Sequence, residues 1–473
     1  MSEVERSRTT ISSNRWLPDD VLREVFIFYV DNELTVEVPF LPMEEEEYSV
    51  SSYWDDVDGD DSDDDPSYTP SDSDEVISSG SVSSFEGQPL VDLPLPLVLS
   101  HVCSAWRHAA LSMLQLWSNV SIATFSRHSK RLAAEWLSKA GTCPVSITIY
   151  DIPSEPGFVV YDALKNFLSA YHIKNLELPL LSETRPQLHL LLTELPAEKI
   201  ACLETLSLTD LENSHQEFLF LDGTRYPRLR DLGLLGHFVG DTITLPWTTL
   251  RYLDAMAFYL PTLQCLEILR ECISLEVCFL GISSPLEPQS VAGDIYAPSL
   301  REFTIFFSFP ADIGDFIRPL TIPNLEVLTI DKYRVNAYEL RWSGEEYSRM
   351  MQRSNCPLHH LTILRSDPVD IYSFLKSSPM LTEATIHRAR FRQETLDHLA
   401  TGRLAPLLQR FHFGEIRGVD SSAFGEMIKM RAQNSASAGS AERPLMPLVS
   451  VGVADQGFQM PFPLQPPVYY FPT

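Results

Sequence analysis

The sequence predicts an α/β protein: a small helical module near the N-terminus, then a long series of short strands alternating with helical or irregular returns. Three observations predict it. The pattern L-x-x-L-x-L recurs from LETLSL at Leu203 to LQRFHF at Leu408. A proline stands one or two places ahead of the leading leucine in six copies (Pro227, Pro298, Pro323, Pro357, Pro379, Pro406), where it ends the preceding segment before a strand begins. Between copies lie stretches such as TLQCLEILREC, whose Leu263, Leu266, Leu269, Cys272 and Ile273 fall on one helical stripe.

In chain order, residues 1–15 read as a disordered N-terminus. LPDDVLREVFIFYV at 17–30 reads as a helix, with Pro18 in the first turn, Asp19 and Asp20 at the positive end of the dipole, and Leu17, Val21, Leu22, Val25, Phe26 and Tyr29 on one stripe. Residues 31–90 then hold 19 Asp plus Glu and no Lys or Arg, so this segment alone accounts for most of the net charge of −28. Its few periodic apolar residues do not offset the entropy of ordering, which predicts a disordered acidic insertion. A calcium loop does not fit the run DDVDGDDSDDD, because placing Gly59 sixth puts Trp54 at the first ligand position. Residues 91–122 supply further helical spacing at Leu99, Val102, Cys103, Trp106 and Ala110, followed by Leu116, Trp117 and the short apolar NVSI.

The repeats occupy residues 123–416. Copies start at Leu203, Leu229, Leu250, Leu275, Leu300, Leu325, Leu358, Leu381 and Leu408, with a weaker one, IKNLEL, at Ile173, and the mean step is about 26 residues. Strand alternation sends the fourth and sixth positions to the core and the third, fifth and seventh to the opposite face. That second face carries Tyr252, Asp254 and Met256; Val277, Phe279 and Gly281; Glu302, Thr304 and Phe306; and Val327, Thr329 and Asp331. Large apolar groups on a face expected to meet water mark a partner site, so Tyr252, Met256, Val277, Phe279, Phe306 and Val327 are the candidate substrate contacts; the competing reading is that loops or the Pro-rich tail cover them. Residues 417–473 read as a Ser/Ala/Gly linker and a Pro-rich tail, with enough apolar content to pack back on the body.

The repeat resembles the leucine-rich repeat family, whose units run to roughly 20–29 residues. It departs from that pattern at the ninth position, where Leu211, His237, Phe258, Ser283, Ser308, Tyr333, Ser366, Ala389 and Ile416 stand in place of a regular Asn or Cys, so an irregular solenoid is expected. The two halves of the N-terminal module together resemble a fungal-type F-box, L-P-x-x-[IV]-L-x-x-[IV]-F, then L-S-x-V-C-x-x-W-R-x-x-A, then L-W, spanning 16–122 with the acidic insertion 31–90 between them. That resemblance implies docking on a Skp-type adaptor, and through it a cullin, with Leu17, Pro18, Val21, Leu22, Val25, Phe26, Val102, Cys103, Trp106 and Arg107 facing the adaptor. It further implies a non-catalytic substrate-recognition subunit acting in ubiquitin-dependent degradation. The competing reading is a leucine-rich-repeat scaffold outside any ligase, whose N-terminal helices only cap the array.

Other classes lack their signatures. The acidic balance argues against phosphate-backbone binding, so no nucleic-acid partner is expected, and no apolar run reaches the roughly 18 residues of a membrane span. There is no G-x-S-x-G, phosphate loop, G-x-G-x-x-G or H-E-x-x-H, and the histidines, including His359 and His360, have no metal-ligand spacing. No catalytic residue, metal or cofactor is assigned. Seven cysteines without a C-x-x-C pair predict reduced thiols and a cytoplasmic or nuclear protein, with Cys265, Cys272 and Cys278 as buried thiols.

Overall fold

A computed structural model describes Glu24 and residues 37–38, 95–152, 158–180, 191–210, 219–220, 223–235, 243–244, 248–285, 293–332, 340–437 and 445–453. Its strands are β1 (Glu37–Val38), β2 (Asn119–Ile122), β3 (Val145–Ile149), β4 (Ile173–Leu180), β5 (Thr205–Asp210), β6 (Leu219–Phe220), β7 (Asp231–Leu235), β8 (Ile243–Thr244), β9 (Tyr252–Pro261), β10 (Val277–Ser284), β11 (Ile295–Tyr296), β12 (Glu302–Phe307), β13 (Leu320–Thr321), β14 (Val327–Lys332), β15 (His360–Ile363), β16 (Val369–Asp370), β17 (Glu383–Arg390), β18 (Arg410–Arg417) and β19 (Ser450–Val453). The protein is mixed α/β, built on one 15-stranded sheet whose order follows the chain, β1-β2-β3-β4-β5-β7-β9-β10-β12-β14-β15-β17-β18-β19, with β16 beside β17. β6 pairs with β8 and β11 with β13 in separate ladders.

Every pairing in the large sheet is parallel, which requires a crossover between neighbours. Helices supply the later ones: Thr262–Glu271, Ile313–Ile317, Gly344–Ser354, Ile371–Ser377, Gln393–Ala400 and Ser421–Ser437. The repeat pattern sets the strands' starts, for in all nine strong copies the strand begins two residues after the leading leucine. At each step one carbonyl accepts from two successive N–H groups of the next unit: Arg230 takes Arg251 and Tyr252, Arg251 takes Glu276 and Val277, Glu276 takes Arg301 and Glu302, and Arg301 takes Glu326 and Val327. First, fourth and sixth positions form the core; Leu203, Leu206 and Leu208 are 0% exposed, as are Leu250 and Leu253. Each such side chain contributes about 1.5–3 kcal/mol by leaving water.

The structure corrects several expectations. In the helix Thr262–Glu271 the buried stripe is Cys265, Leu266, Ile268, Leu269 and then Cys272, while Leu263 and Ile273 are exposed, because the first-turn Leu263 points away from the sheet that the next turn packs upon. NVSI belongs to the sheet as β2 rather than to the helical module, since its Val120 and Ile122 bury the same face as the strands that follow. Within the acidic stretch, Glu37 and Val38 pair with Ser121 and Ile122; the remainder of 31–90 lies outside the described residues. Beyond Ile416 the linker reading fails for two segments: Ser421–Ser437 is a helix burying Phe424 and Met427, and Ser450–Val453 extends the sheet beside β18. Buried Arg431 holds these pieces together through hydrogen bonds to the carbonyls of Leu399, Ala405, Pro406, Leu408 and Met446.

Candidate protein-docking surfaces

Two helices, α1 (Leu95–Val102) and α2 (Ser104–Ser112), and a 3₁₀ turn over Leu114–Trp117 precede β2. The sequence suggests one continuous stripe here, but the helix breaks at Cys103, which has extended backbone and caps α2 by accepting the Trp106 N–H on its sulfur. Arg107 donates through Nε to the Ser100 carbonyl at 2.8 Å, satisfying one of the orphan acceptors at the end of α1. The unit is fastened to the sheet by Trp117, 1% exposed, whose Nε1 donates to the Ala110 carbonyl and whose ring packs 4.7 Å from Trp136 with the Lys139 ammonium above it.

Three apolar side chains of the two helices are nevertheless exposed: Val98 is 43% exposed, Val102 56% and Leu111 48%. Of the expected adaptor-facing residues, Val102 and Arg107 are therefore at the surface, Cys103 caps a helix and is half-buried, and Trp106 packs partly against the core. Leu17, Pro18, Val21, Leu22, Val25 and Phe26 lie outside the described residues. The sequence reading missed Val98 and Leu111. Their signal was present, since Val98 and Val102 are four apart on one helical face.

The second surface is the face of the sheet opposite its Leu-rich core. Lateral register places Asp231, Tyr252, Val277, Glu302 and Val327 in one row, and Gly233, Asp254, Phe279, Thr304 and Thr329 in the next. Tyr252, Val277, Phe279, Phe306 and Val327 are half-buried on it, with the Tyr252 and Phe279 rings 5.8 Å apart. Met256 departs from its expected strand position. Between the pairs Ala255–Leu280 and Leu260–Ile282, residues 256–259 of β9 oppose Gly281 alone, an excursion lying so close that a Cβ on Gly281 would sit 2.1 Å from the Met256 carbonyl oxygen. Asp254 accepts the Met256 N–H and is 1% exposed, so it is withdrawn from the surface.

Charge divides this face in two. From β15 onward its carboxylates meet cations of the same chain: Glu383 pairs with Arg410 and lies 3.2 Å from His360, and Glu415 lies 3.2 Å from Arg388. From β4 to β12 the facing carboxylates Glu177, Asp231 and Glu302 make no ion pair among the described residues; Thr148 donates to Glu177 and Thr205 to Asp231. Burial pushes all three carboxyl pKa values up.

Little else offers chemistry. All seven cysteines are free, and burial raises the thiols of Cys265, Cys272 and Cys278, that of Cys272 to about 12, which keeps them protonated and poor nucleophiles. Among the described residues no group of three His, Cys, Asp or Glu is placed to hold a metal, and no helix is long and apolar enough to cross a membrane. No protein-family model matches the chain, and no curated protein matches it.

Proposed function

We propose that the chain is the substrate-recognition subunit of a Skp-cullin-F-box type ubiquitin ligase, a non-catalytic adaptor that holds the ligase at its helical unit and presents a protein on an irregular leucine-rich-repeat solenoid. The observation that carries this reading is the exposed apolar trio Val98, Val102 and Leu111 on a unit otherwise fastened to the core, since isolated helices covering a sheet end have no need of such a surface. The in-order parallel sheet with leucines buried at each unit's first, fourth and sixth positions supports the solenoid half. Such a protein works by raising the effective concentration of a target lysine near the conjugating enzyme, not by covalent chemistry of its own. The F-box motif residues Leu17, Pro18, Leu22, Val102, Trp106 and Arg107 supply the resemblance on which the adaptor's identity rests.

The scaffold reading has one observation in its favour. Ala110, Leu116 and Trp117 are buried against the first strands, as a cap requires. Co-purification with a Skp-type adaptor separates the two readings. The native chain is expected to bind, and both Val102→Glu with Leu111→Glu and Leu17→Ala with Pro18→Ala and Leu22→Ala are expected to lose binding while keeping the native denaturation midpoint. Absence of adaptor from the native chain overturns the ligase reading in favour of the scaffold.

A further inference from the structure

The sheet face from β7 to β12 carries an apolar strip, Tyr252, Val277, Phe279 and Phe306, and its facing positions hold no Lys or Arg. Asp231 and Glu302 bracket the strip in a single lateral row, separated by Tyr252 and Val277. Three lateral steps between parallel strands span roughly 14 Å. An extended chain covers that distance in about four residues.

We infer that this face takes an extended partner segment whose apolar side chains are bracketed by two lysines or arginines about four residues apart. The inference rests on the substrate-adaptor reading for its role and names the substrate class. Charge complementarity carries it: the carboxylates facing outward on β17 and β18 each form an ion pair within this chain, whereas Asp231 and Glu302 form none among the described residues, Arg230 and Arg251 acting on Asp231 only through space. Both acids resist ionisation where they stand, so a cation delivered by a partner would lower the energy of charges already set into the face. The chain's own Pro-rich tail is a poor occupant, because residues 445–473 contain no Lys or Arg. A nucleic acid is excluded from the strip by the same carboxylates.

The test uses the full chain purified with its adaptor and a fluorescein-labelled peptide GKAFAKG, in which both lysines and the phenylalanine share one face of an extended chain, read by anisotropy, against the controls GEAFAEG and GKASAKG. The lysine peptide is expected to bind, both controls to bind at least about tenfold more weakly, and Asp231→Asn with Glu302→Gln to weaken the lysine peptide by about tenfold while keeping a denaturation midpoint no lower than the native one and the adaptor bound. Equal binding of lysine and glutamate peptides, no effect of the double substitution, or no binding of the lysine peptide up to millimolar concentration overturns the inference. A native dimer in sedimentation that the double substitution dissociates also overturns it, by placing a second copy on the face. Adaptor bound without peptide removes only the substrate class; peptide bound without adaptor removes the ligase reading and leaves the surface.

Discussion

Replacing Arg431 by methionine tests how the distal end of the sheet is held. The guanidinium is 0% exposed and faces five carbonyls, at 2.8 Å from Leu399, 2.9 Å from Ala405, 3.1 Å from Pro406 and Leu408, and 3.0 Å from Met446. Three of those oxygens keep another donor: Leu399 has the Gly402 N–H, Ala405 the Leu408 N–H and Pro406 the Met446 N–H. Among the described residues Leu408 and Met446 have none besides Arg431. The buried Leu408 carbonyl and the half-buried Met446 carbonyl left bare cost about 1–3 kcal/mol each, the second toward the low end. Relief from burying the cation offsets part of this, and methionine roughly preserves the apolar volume, which leaves a net loss of about 3 kcal/mol. The loss is local, because the last strand and its helix touch only their neighbours. Native-state hydrogen exchange of the Val449 and Ser450 amides, which both donate to the Gln409 carbonyl where β19 joins β18, should accelerate about a hundredfold while β4 and β5 are unchanged. Lysine, with three donors on one nitrogen, should fall between. Unchanged exchange at Val449 and Ser450 in Arg431→Met would refute the assignment of Arg431 as the clamp.

Two further outcomes follow from particular contacts. Gly281→Ala sets a Cβ against the Met256 carbonyl, so the 256–259 excursion must shift; a loss of about 1–3 kcal/mol in urea denaturation is expected, and a midpoint equal to the native one would show that the excursion yields freely. The raised carboxyls Glu177, Asp231 and Glu302 make stability fall with pH: they hold protons in the folded chain where the unfolded chain has released them, so the stability they permit is full below the ordinary carboxylate pKa and is lost as pH rises through their folded values. Comparing the native chain with Glu177→Gln, Asp231→Asn and Glu302→Gln combined, between about pH 4 and pH 7, should show an advantage of the variant that grows with pH, and a constant difference would contradict the burial that raises them.

The repeat was legible where its buried positions are leucine and its preceding residue proline. Three further strands share the register but escape the pattern: WSNVSI from Trp117 and LVSVGV from Leu448 start a strand at their third residue, Asn119 and Ser450, and PVSITI from Pro144 starts one at its second, Val145. Their fourth and sixth residues are Val or Ile, and those of the first two are buried as the leucines elsewhere are. Packing onto the sheet core asks for an aliphatic group of fitting shape, and β-branched residues meet that demand in a strand. A search on leucine therefore undercounts a repeat defined by burial. The break at Cys103 was hidden for a different reason: Leu99, Val102, Cys103, Trp106 and Ala110 do fit one helix by spacing, and the alternative depends on a sulfur accepting an N–H and on Arg107 reaching back to Ser100.

The outward face of the sheet shows the same limit more sharply. Its aromatics were legible because strand alternation assigns them a side, and the structure keeps Tyr252, Val277, Phe279, Phe306 and Val327 on that side half-buried. What alternation does not give is the lateral neighbour. Glu302 and Glu383 are both glutamates at the third position of their units, yet Glu383 meets Arg410 across 27 positions of sequence and His360 across 23, while Glu302 lies between Val277 and Val327. One carboxylate is thereby satisfied within the chain and the other is held at the surface of an apolar strip at an electrostatic cost. That cost is incurred in the free chain, and the proposed cationic partner would offset it. The balance of charge along the face, rather than its apolar content, is therefore what distinguishes a specific partner from any exposed hydrophobic segment.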